Sequence, residues 1–292
     1  MYKIDGHSHP DFLHISFEEF MDNMQENGIS KSCIMTWENP WEENWMSNKT
    51  ACPSPLCNQV PIDFSRVLAY YEKAPDKFIM GYAPDPRKPD AIYKMQSAID
   101  TYGVKMCAEI KFRMMYDNPD AIDLFRYCGE RGVPVTLHLD YANAHIAAPG
   151  MPWKKYWYGG DMFALERVLQ LCPDTNFLGH ACCFWANISA DDQWRTADYP
   201  QGPVVPGGHL EQLLDKYDNL YCDCSGDSGC LALKRDPEYT TQLIMKHPDR
   251  FIFARDCFTN HLSAYFDTLS LPEEVRENFY HSNLERLICA TK

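Results

Sequence analysis

The sequence predicts a single (β/α)8 barrel, the TIM-barrel fold, extending over residues 1–292. Short apolar runs rich in β-branched and aromatic residues alternate with longer amphipathic segments along the whole chain. This alternation is typical of βα units arranged around a parallel sheet. About eight such units fill the 292 residues, close to the roughly 250 residues of a typical barrel of this kind. A hydrophobic content of 45% is sufficient for one sizeable core.

Eight candidate strands can be identified from the apolar runs. In chain order they are YKIDGHSH from Tyr2, KSCIMTW from Lys31, FIMGYAP from Phe78, CAEIKFR from Cys107, VPVTLHLD from Val133, NFLGHAC from Asn176, NLYCDCS from Asn219 and RFIFARDC from Arg250. A doubly wound open sheet is the alternative fold, but it usually carries a glycine-rich turn after its first strand. The segment DGHSHP offers no such turn, so the barrel is favoured.

Helical patterns occupy the segments between the strands. Residues 17–24 place apolar side chains at helical spacing before Gly28, and residues 120–131 do so before Gly132. Three connections are long, over residues 38–62, 141–162 and 183–210, and each follows a candidate strand. In a barrel these connections would lie at the C-terminal rim, where active sites form.

Polar side chains that bind metals or transfer protons occur at the ends of four candidate strands. Alternation along a strand places Asp5, His7 and His9 on one side of the first strand. Three further residues end separate strands, namely His138, His180 and Asp256. A single histidine at a strand end is usually a satisfied core residue. Four histidines and an aspartate at the catalytic face of a barrel instead indicate a shared metal site.

These motifs resemble those of the amidohydrolase superfamily, specifically its amidohydrolase-related branch of metal-dependent TIM barrels. The resemblance rests on DGHSHP in the first strand, AEIKFR in the fourth, PVTLHLD in the fifth, FLGHAC in the sixth, IFARDC in the eighth and YHSNLERLI in the C-terminal helix. It covers nearly the whole chain, from Met1 to Ile288. The HxH pair alone is a weak signal, whereas the ordered set is specific.

The resemblance implies a divalent metal ion, commonly zinc, bound by His7, His9, His138 and Asp256. Imidazole and carboxylate ligands suit zinc, and a position left open for water is typical of a catalytic site. Zinc lowers the pKa of its water to about 7. By the same resemblance, His180 lies near the ion without necessarily binding it. His180 and Asp256 are therefore the predicted catalytic residues, which orient water, polarise the substrate or transfer a proton.

The fourth strand contains a lysine near the place where binuclear relatives carry a carbamylated, metal-bridging lysine. Lys111 shares one face of this strand with Glu109 and Arg113. We expect an internal pair between Glu109 and Lys111, and hence one metal ion per chain with Lys111 unmodified. Lys111 and Arg113 are also candidate substrate-binding residues.

Aromatic residues are concentrated in the connections that we expect at the rim. Trp37, Trp41 and Trp45 follow the second strand, and four more aromatic residues occur within residues 153–158. Loop packing would account for them. Their number beside the predicted site nevertheless favours a wall for an aromatic or cyclic substrate, with Trp41 and Trp45 as candidate binding residues.

The composition limits the partners of the protein. The 27 basic and 41 acidic side chains give a net charge of −14, which argues against nucleic acid or an anionic membrane and leaves a small-molecule substrate. No apolar run is long enough to span a bilayer, and no signal peptide is recognisable. A cytoplasmic protein whose 13 cysteines are free thiols is therefore expected, and association into a homo-oligomer stays open.

The sequence thus predicts a metal-dependent hydrolase that acts on a lactone, ester or amide bond of a small cyclic or aromatic substrate. A zinc-dependent nonoxidative decarboxylase is the second interpretation, because the branch includes both reactions. Decarboxylation needs an arginine aimed at the substrate carboxylate. Arg113 lies one step past its strand, Arg195 lies in a loop, and Arg255 should point away from the barrel interior by its strand parity. A catalytically silent metal- or ligand-binding barrel is the third interpretation.

Overall fold

The computed structural model describes residues 1–44, 51–52, 60–140 and 157–291. Within these residues, eight strands occur at the eight predicted positions. They are β1 (Ile4–Ser8), β2 (Lys31–Met35), β3 (Phe78–Gly81), β4 (Cys107–Ile110), β5 (Val135–His138), β6 (Phe177–His180), β7 (Leu220–Asp223) and β8 (Phe251–Ile252). Each strand is shorter than the apolar run that predicted it.

The strands pair in parallel and in chain order, forming the sheets β1-β2-β3 and β4-β5-β6-β7-β8. Backbone hydrogen bonds also cross both seams between these sheets. At the first seam, the Tyr82 N–H donates to the Met106 carbonyl at 3.0 Å. At the second, the Gly6 N–H donates to the Phe253 carbonyl at 2.9 Å. This order of eight parallel strands is that of a (β/α)8 barrel.

Helices follow the strands along the chain. Those in the described residues are α1 (Phe17–Glu26), α2 (Phe64–Lys73), α3 (Ala91–Tyr102), α4 (Pro119–Glu130), α5 (Met162–Leu171), α6 (Ala181–Ala186), α7 (His209–Lys216), α8 (Gly226–Lys234), α9 (Pro237–Lys246), α10 (His261–Phe266), α11 (Glu273–Glu277) and α12 (Asn283–Cys289). Ser16 and Glu19 form a capping box at the start of α1. Asn118 caps α4 ahead of Pro119, so both predicted helices begin at recognisable signals.

The apolar core lies between the strands and the surrounding helices. All residues of β5 and β6 are buried, as expected for strands of a parallel sheet covered on both faces. A smaller cluster joins Ile4, Met35 and Ile252 to Leu284 and Leu287 of α12. The C-terminal helix therefore packs against β1, β2 and β8, while polar side chains occupy the carboxyl ends of the strands.

The long connections begin at the carboxyl ends of β2, β5 and β6, as predicted. The first contains a short 3-10 helix, Trp41–Glu43, and the third contains α6 and a second 3-10 helix, Gln193–Arg195. Residues 45–50, 53–59 and 141–156 of these connections lie outside the described residues. All three connections therefore start on the side of the barrel that carries the strand-end histidines.

The described residues also show the state of the cysteines and the length of the apolar helices. None of the cysteines in the described part of the chain forms a disulfide bond, as expected. Among the described helices, none combines the length and the apolar character needed to cross a bilayer.

Candidate metal centre

His7 and His9 lie at the carboxyl end of β1 and converge on each other. Their Nε2 atoms are 3.2 Å apart. The Nδ1 atom of His7 lies 2.7 Å from Oδ2 of Asp223, and Nδ1 of His9 lies 2.9 Å from the carbonyl oxygen of Met35. Because both partners are acceptors, each ring donates through Nδ1 and directs Nε2 toward the other ring. The predicted HxH pair therefore points into one site.

Asp5 does not share this site, although simple alternation places it on the same side as the histidines. Its carboxylate accepts hydrogen bonds from Nε of Arg255 at 2.7 Å and from Oγ of Ser8 at 2.9 Å. The pairing of β1 with β2 shifts between Asp5 and Ser8, and regular alternation fails at such an irregularity. Arg255 is thus engaged away from the site, as its parity predicted.

Asp256 joins the two histidines from the segment after β8. Its N–H donates to the His7 carbonyl at 2.8 Å, and its φ of 54° is left-handed, a region that aspartate enters more readily than most residues. Its Oδ1 lies 3.6 Å from Nε2 of His7 and 3.7 Å from Nε2 of His9. The structure thus groups three of the four predicted ligands.

Glu109 occupies the middle of the centre, where the sequence analysis did not place it. Its Oε1 lies 2.7 Å from Nδ1 of His138 and 3.8 Å from Nε2 of His180. Its Oε2 lies 3.6 Å from Nε2 of His9. The expected pair with Lys111 takes the form of a charge interaction that lowers the pKa of Glu109, while the Lys111 ammonium itself lies over the Trp37 ring, 3.7 Å from its centroid.

His138 and His180 form the other side of the centre. With Glu109 they make a second group, whose ligand atoms lie within 4.8 Å of one another. Oδ2 of Asp256 lies 3.7 Å from Nε2 of His180, so the two groups are contiguous. The structure places His138 beside Glu109 and His180 rather than in the group of His7, His9 and Asp256. The four-ligand set, and the separate role of His180, stay predictions.

Asp223 is a second residue that the sequence analysis passed over. It ends β7, is fully buried, and contacts His7 directly. The rule that selected His138, His180 and Asp256, a polar residue at the end of an apolar strand, also applies to Asp223 in NLYCDCS. The strand-end signal was therefore available in the sequence.

The electrostatics of the centre couple carboxylates to imidazoles. Burial lowers the pKa of His180 to about 4. Burial also opposes charge on His7, yet the nearby carboxylates of Asp223, Asp256 and Glu109 raise its pKa to about 10. The pKa values of these three carboxyl groups are lowered, against the effect of burial, by the surrounding positive groups. Buried negative charge thus exceeds buried positive charge among these side chains.

A divalent metal ion fits this arrangement. Oε2 of Glu109 is buried without a hydrogen-bond partner, which is costly for a carboxylate unless a cation compensates it. The Nε2 atoms of His7 and His9 face each other and the carboxylate of Asp256. Nitrogen and oxygen donors of this kind suit zinc and similar ions. Manganese also accepts imidazole and carboxylate ligands.

A cavity of about 230 Å³ opens above the centre. His9, His138, His180 and Asp256 line its floor, while Phe12, Trp37, Lys111 and Tyr199 belong to its walls. Lys111 is 7% exposed, and it is the only lysine or arginine among the described lining residues. The cavity therefore combines a metal-binding floor, aromatic side chains and one buried ammonium group.

Two other predicted substrate-binding residues, Arg113 and Trp41, are not among the described residues that line the cavity. Arg113 is exposed, and its backbone N–H donates to Oε2 of Glu43 at 2.9 Å. Trp41 begins the first 3-10 helix and does not appear among the described residues lining the cavity. Trp45 lies outside the described residues. Among the described residues, Trp37, four residues before Trp41, is the tryptophan that lines the cavity.

Comparison with known proteins gives structural likeness without sequence likeness. No protein-family model and no curated protein matches the sequence. A 2,6-dihydroxybenzoate decarboxylase from Rhizobium superimposes with a TM-score of 0.64 at 16% identity, covering 99% of both chains. A dihydroxybenzoic acid decarboxylase from Polaromonas sp. JS666, with bound manganese and the inhibitor 2-nitroresorcinol, gives 0.66 at 14% identity and covers 100% of this chain and 98% of its own.

A third similar structure belongs to an enzyme described as a hydrolase rather than a decarboxylase. It is a probable 2-pyrone-4,6-dicarboxylic acid hydrolase from Acinetobacter baumannii with citric acid bound, at a TM-score of 0.55 and 12% identity, covering 99% of this chain and 100% of its own. These likenesses show the fold. The chain has the TIM-barrel fold of amidohydrolase-type proteins, which confirms the predicted fold class and, at the level of the fold, the resemblance seen in the sequence.

Proposed function

We propose that this protein is a metal-dependent enzyme acting on a small carboxylated ring substrate, with hydrolysis of a lactone, ester or amide bond as the first candidate reaction. The observation that carries the proposal is the convergence of side chains from several strands around Glu109. Its unpartnered buried oxygen and the facing imidazole nitrogens of His7 and His9 provide donors for a divalent ion. Zinc is our first choice, and manganese is the second.

The roles of the chain's own residues follow from their positions. His7, His9, Asp256 and Glu109 would hold the ion, with His138 on the opposite side of Glu109. A bound divalent ion supplies Lewis acidity toward a substrate oxygen or water. Nε2 of His180 and Oδ2 of Asp256 both face the centre, 3.7 Å apart. This pair can orient the substrate carbonyl and carry a proton from the attacking water to the leaving group.

Lys111 supports a carboxylated substrate. Its ammonium is buried at the cavity wall and is placed over the Trp37 ring. A buried ammonium at a cavity wall is stabilised further when an anionic ligand reaches it. The aromatic walls suit a flat ring, and a cavity of about 230 Å³ suits a small one. The decarboxylases and the pyrone hydrolase that share the fold act on substrates of this chemistry.

Decarboxylation is the second candidate, and Lys111 is the observation that favours it. Decarboxylation is expected to need an arginine that holds the substrate carboxylate, and the described residues that line the cavity include no arginine. Arg195 pairs with Asp192 at the surface, and Arg255 is buried against Asp5. Lys111 could hold the substrate carboxylate in place of an arginine. Hydrolysis keeps first place because the proximity of His180 and Asp256, 3.7 Å apart, supports their predicted role in proton transfer.

One experiment separates the reactions. Chelator-treated protein is reloaded with zinc or manganese and assayed on lactones, amides and carboxylated aromatic acids, in ¹⁸O-labelled water with carbon dioxide monitored. Label in a product carboxyl group would support hydrolysis. Stoichiometric carbon dioxide without incorporated label would establish the decarboxylase. Metal binding without turnover of any substrate would instead support the third interpretation, a catalytically silent metal- or ligand-binding barrel.

The Lys111→Met variant tests the substrate class. Because it removes a hydrogen bond to a charged group, we expect kcat/KM for a carboxylated substrate to fall about 10- to 100-fold. The methyl ester of the same substrate should react equally well with both proteins, and Lys111→Arg should retain part of the preference. An equal loss for the acid and its ester would contradict the role of Lys111 as an anion-binding residue.

A further inference from the structure

We propose that Asp223 is the positioning residue of the metal centre, which fixes the orientation of His7 directly and that of His180 through Ser225. This inference rests on the proposed metal-dependent function. It assigns a task to the strand between β6 and β8, from which no ligand was predicted. One residue of β7 would thereby align imidazoles that come from β1 and β6.

The contact with His7 sets which ring nitrogen is available. Oδ2 of Asp223 lies 2.7 Å from Nδ1 of His7, and a carboxylate can only accept, so Nδ1 carries the hydrogen. Nε2 is therefore the atom left for the ion, and it is the atom that faces His9 and Asp256. Both residues are fully buried, so solvent does not compete for this hydrogen bond.

The link to His180 passes through the turn after β7. The other carboxylate oxygen of Asp223, Oδ1, accepts the Ser225 N–H at 3.0 Å. This holds Ser225 with its Oγ 2.9 Å from Nδ1 of His180. Nδ1 of His180 is thereby engaged, and its Nε2 faces Glu109 and Asp256. The same carboxylate thus influences the facing nitrogens on both sides of the centre.

The backbone of Asp223 is held independently of its side chain. Nε1 of the buried Trp185 donates to the Asp223 carbonyl at 3.0 Å. The carboxylate is therefore presented from a fixed strand end, and it can orient a ring without moving itself. Residues that orient a metal-binding histidine through its second nitrogen typically contribute 10- to 100-fold to metal affinity.

A direct ligand role for Asp223 is the competing interpretation, since its carboxylate also lies near Nδ1 of both His7 and His180. Two contacts favour positioning. Nδ1 of His7 is already hydrogen bonded to Asp223 itself, and Nδ1 of His180 is bonded to Ser225. The unpartnered oxygen of Glu109 lies on the Nε2 side of His9, which is where a cation is needed.

The test compares zinc binding in the full-length wild type, Asp223→Asn, Ser225→Ala and His7→Ala, by chelator competition and metal analysis. Cys224→Ala is the matched control, because Cys224 directly follows Asp223, is equally buried, and its thiol donates to the Cys222 carbonyl rather than to a histidine. We expect the zinc Kd of Asp223→Asn to rise about 10- to 100-fold with unchanged stoichiometry. Ser225→Ala should leave the zinc Kd unchanged and lower kcat instead, because it loosens His180, which is not among the proposed ligands, and Cys224→Ala should change neither quantity.

A spectroscopic readout reports the orientation itself. In the zinc-loaded wild type, the Nδ1 proton of His7 should resonate far downfield because it is bonded to a carboxylate. In Asp223→Asn this proton should move upfield, since an amide is the weaker acceptor. A change that affected only packing would alter thermal unfolding and leave this resonance in place. The assignment is made with His7→Ala.

Each outcome decides the proposal. Wild-type zinc affinity in Asp223→Asn would overturn it, while turnover by the wild type would leave the proposed function standing. Loss of all zinc in Asp223→Asn, as in His7→Ala, would make Asp223 a ligand and also overturn positioning. If Asp223→Asn does not fold, the zinc affinity of the smaller Asp223→Ser variant decides. If the wild type binds zinc tightly but turns over no substrate, the proposed enzymatic function is refuted and the positioning role of Asp223 stands. If the wild type binds no divalent ion, both proposals are refuted.

Discussion

His180 is the residue whose role depends most on geometry at the atomic scale. Its Nδ1 is bonded to Ser225, and its Nε2 lies 3.8 Å from Glu109 and 3.7 Å from Asp256. These contacts are compatible with a ligand and with a proton-transferring group. The resemblance favours the second role, because it places His180 outside the ligand set.

We therefore expect His180→Asn to keep its metal and to lose about 10²- to 10⁴-fold in kcat, the usual contribution of a positioned acid–base group. Metal analysis and steady-state kinetics on the same preparation measure the two effects separately. His247→Asn is a suitable control, because His247 pairs with Asp215 at the surface. Metal loss in His180→Asn equal to that in His7→Ala would instead make His180 a ligand.

At this scale the sequence predicted some residues of the site and missed others. Strand alternation and motif order selected His7, His9 and Asp256, which the structure groups together. Strand alternation and motif order could not place Glu109 in the metal centre, because its contacts depend on whether Lys111 points toward it or toward the Trp37 ring. That choice is made by packing between β2 and β4, which a single sequence does not contain. Asp223 was accessible to the same strand-end rule but was not selected.

At the scale of the elements, the prediction of eight strands holds because each apolar run is bounded by polar or helical sequence. Their exact ends were less predictable, since pairing with neighbouring strands decides them. The connection after β2 shows a second limit. Trp37 pairs with Ile62 through two backbone hydrogen bonds, of 2.8 and 3.0 Å. This bridge fastens the base of the connection and places Trp37, rather than Trp41, at the cavity.

The connection after β2 should therefore act on substrates through Trp37. We expect Trp37→Leu to lower kcat/KM for flat ring substrates about 2- to 10-fold relative to non-planar ones, because aromatic stacking contributes on the order of 0.5–1.5 kcal/mol. Trp37→Phe should recover most of the preference, and Trp41→Ala should leave it unchanged. Competition kinetics with paired substrates measure the ratio. A larger effect of Trp41→Ala than of Trp37→Leu would refute this assignment.

At the scale of the whole molecule, the metal centre depends on the seam where β8 meets β1. His7 and Asp256 belong to opposite sides of this seam and are joined by a backbone hydrogen bond of 2.8 Å. Gly6 allows the close approach, since a Cβ atom there would lie 2.9 Å from Cγ2 of Ile252. Beside it, the carboxylate of Asp5 accepts hydrogen bonds from the backbone and from Nε of Arg255, at 2.9 and 2.7 Å.

Breaking this buried ion pair should therefore affect both stability and the site. In Asp5→Asn the Arg255 guanidinium loses its counter-ion in a nearly dry environment, which typically costs about 3–5 kcal/mol of the free energy of unfolding. Denaturant unfolding measures this loss. Asp218→Asn is the control, because Asp218 pairs with Arg250 while fully exposed and such pairs contribute about 0–1 kcal/mol.

The same Asp5→Asn variant should bind zinc more weakly even where it is fully folded, since His7 and Asp256 are aligned across the seam that Asp5 stabilises. Zinc affinity is measured well below the denaturation midpoint, so that unfolding does not contribute to the result. Asp218→Asn should bind zinc like the wild type. A destabilised Asp5→Asn with wild-type zinc affinity would show that the seam supports the barrel without setting the geometry of the metal centre.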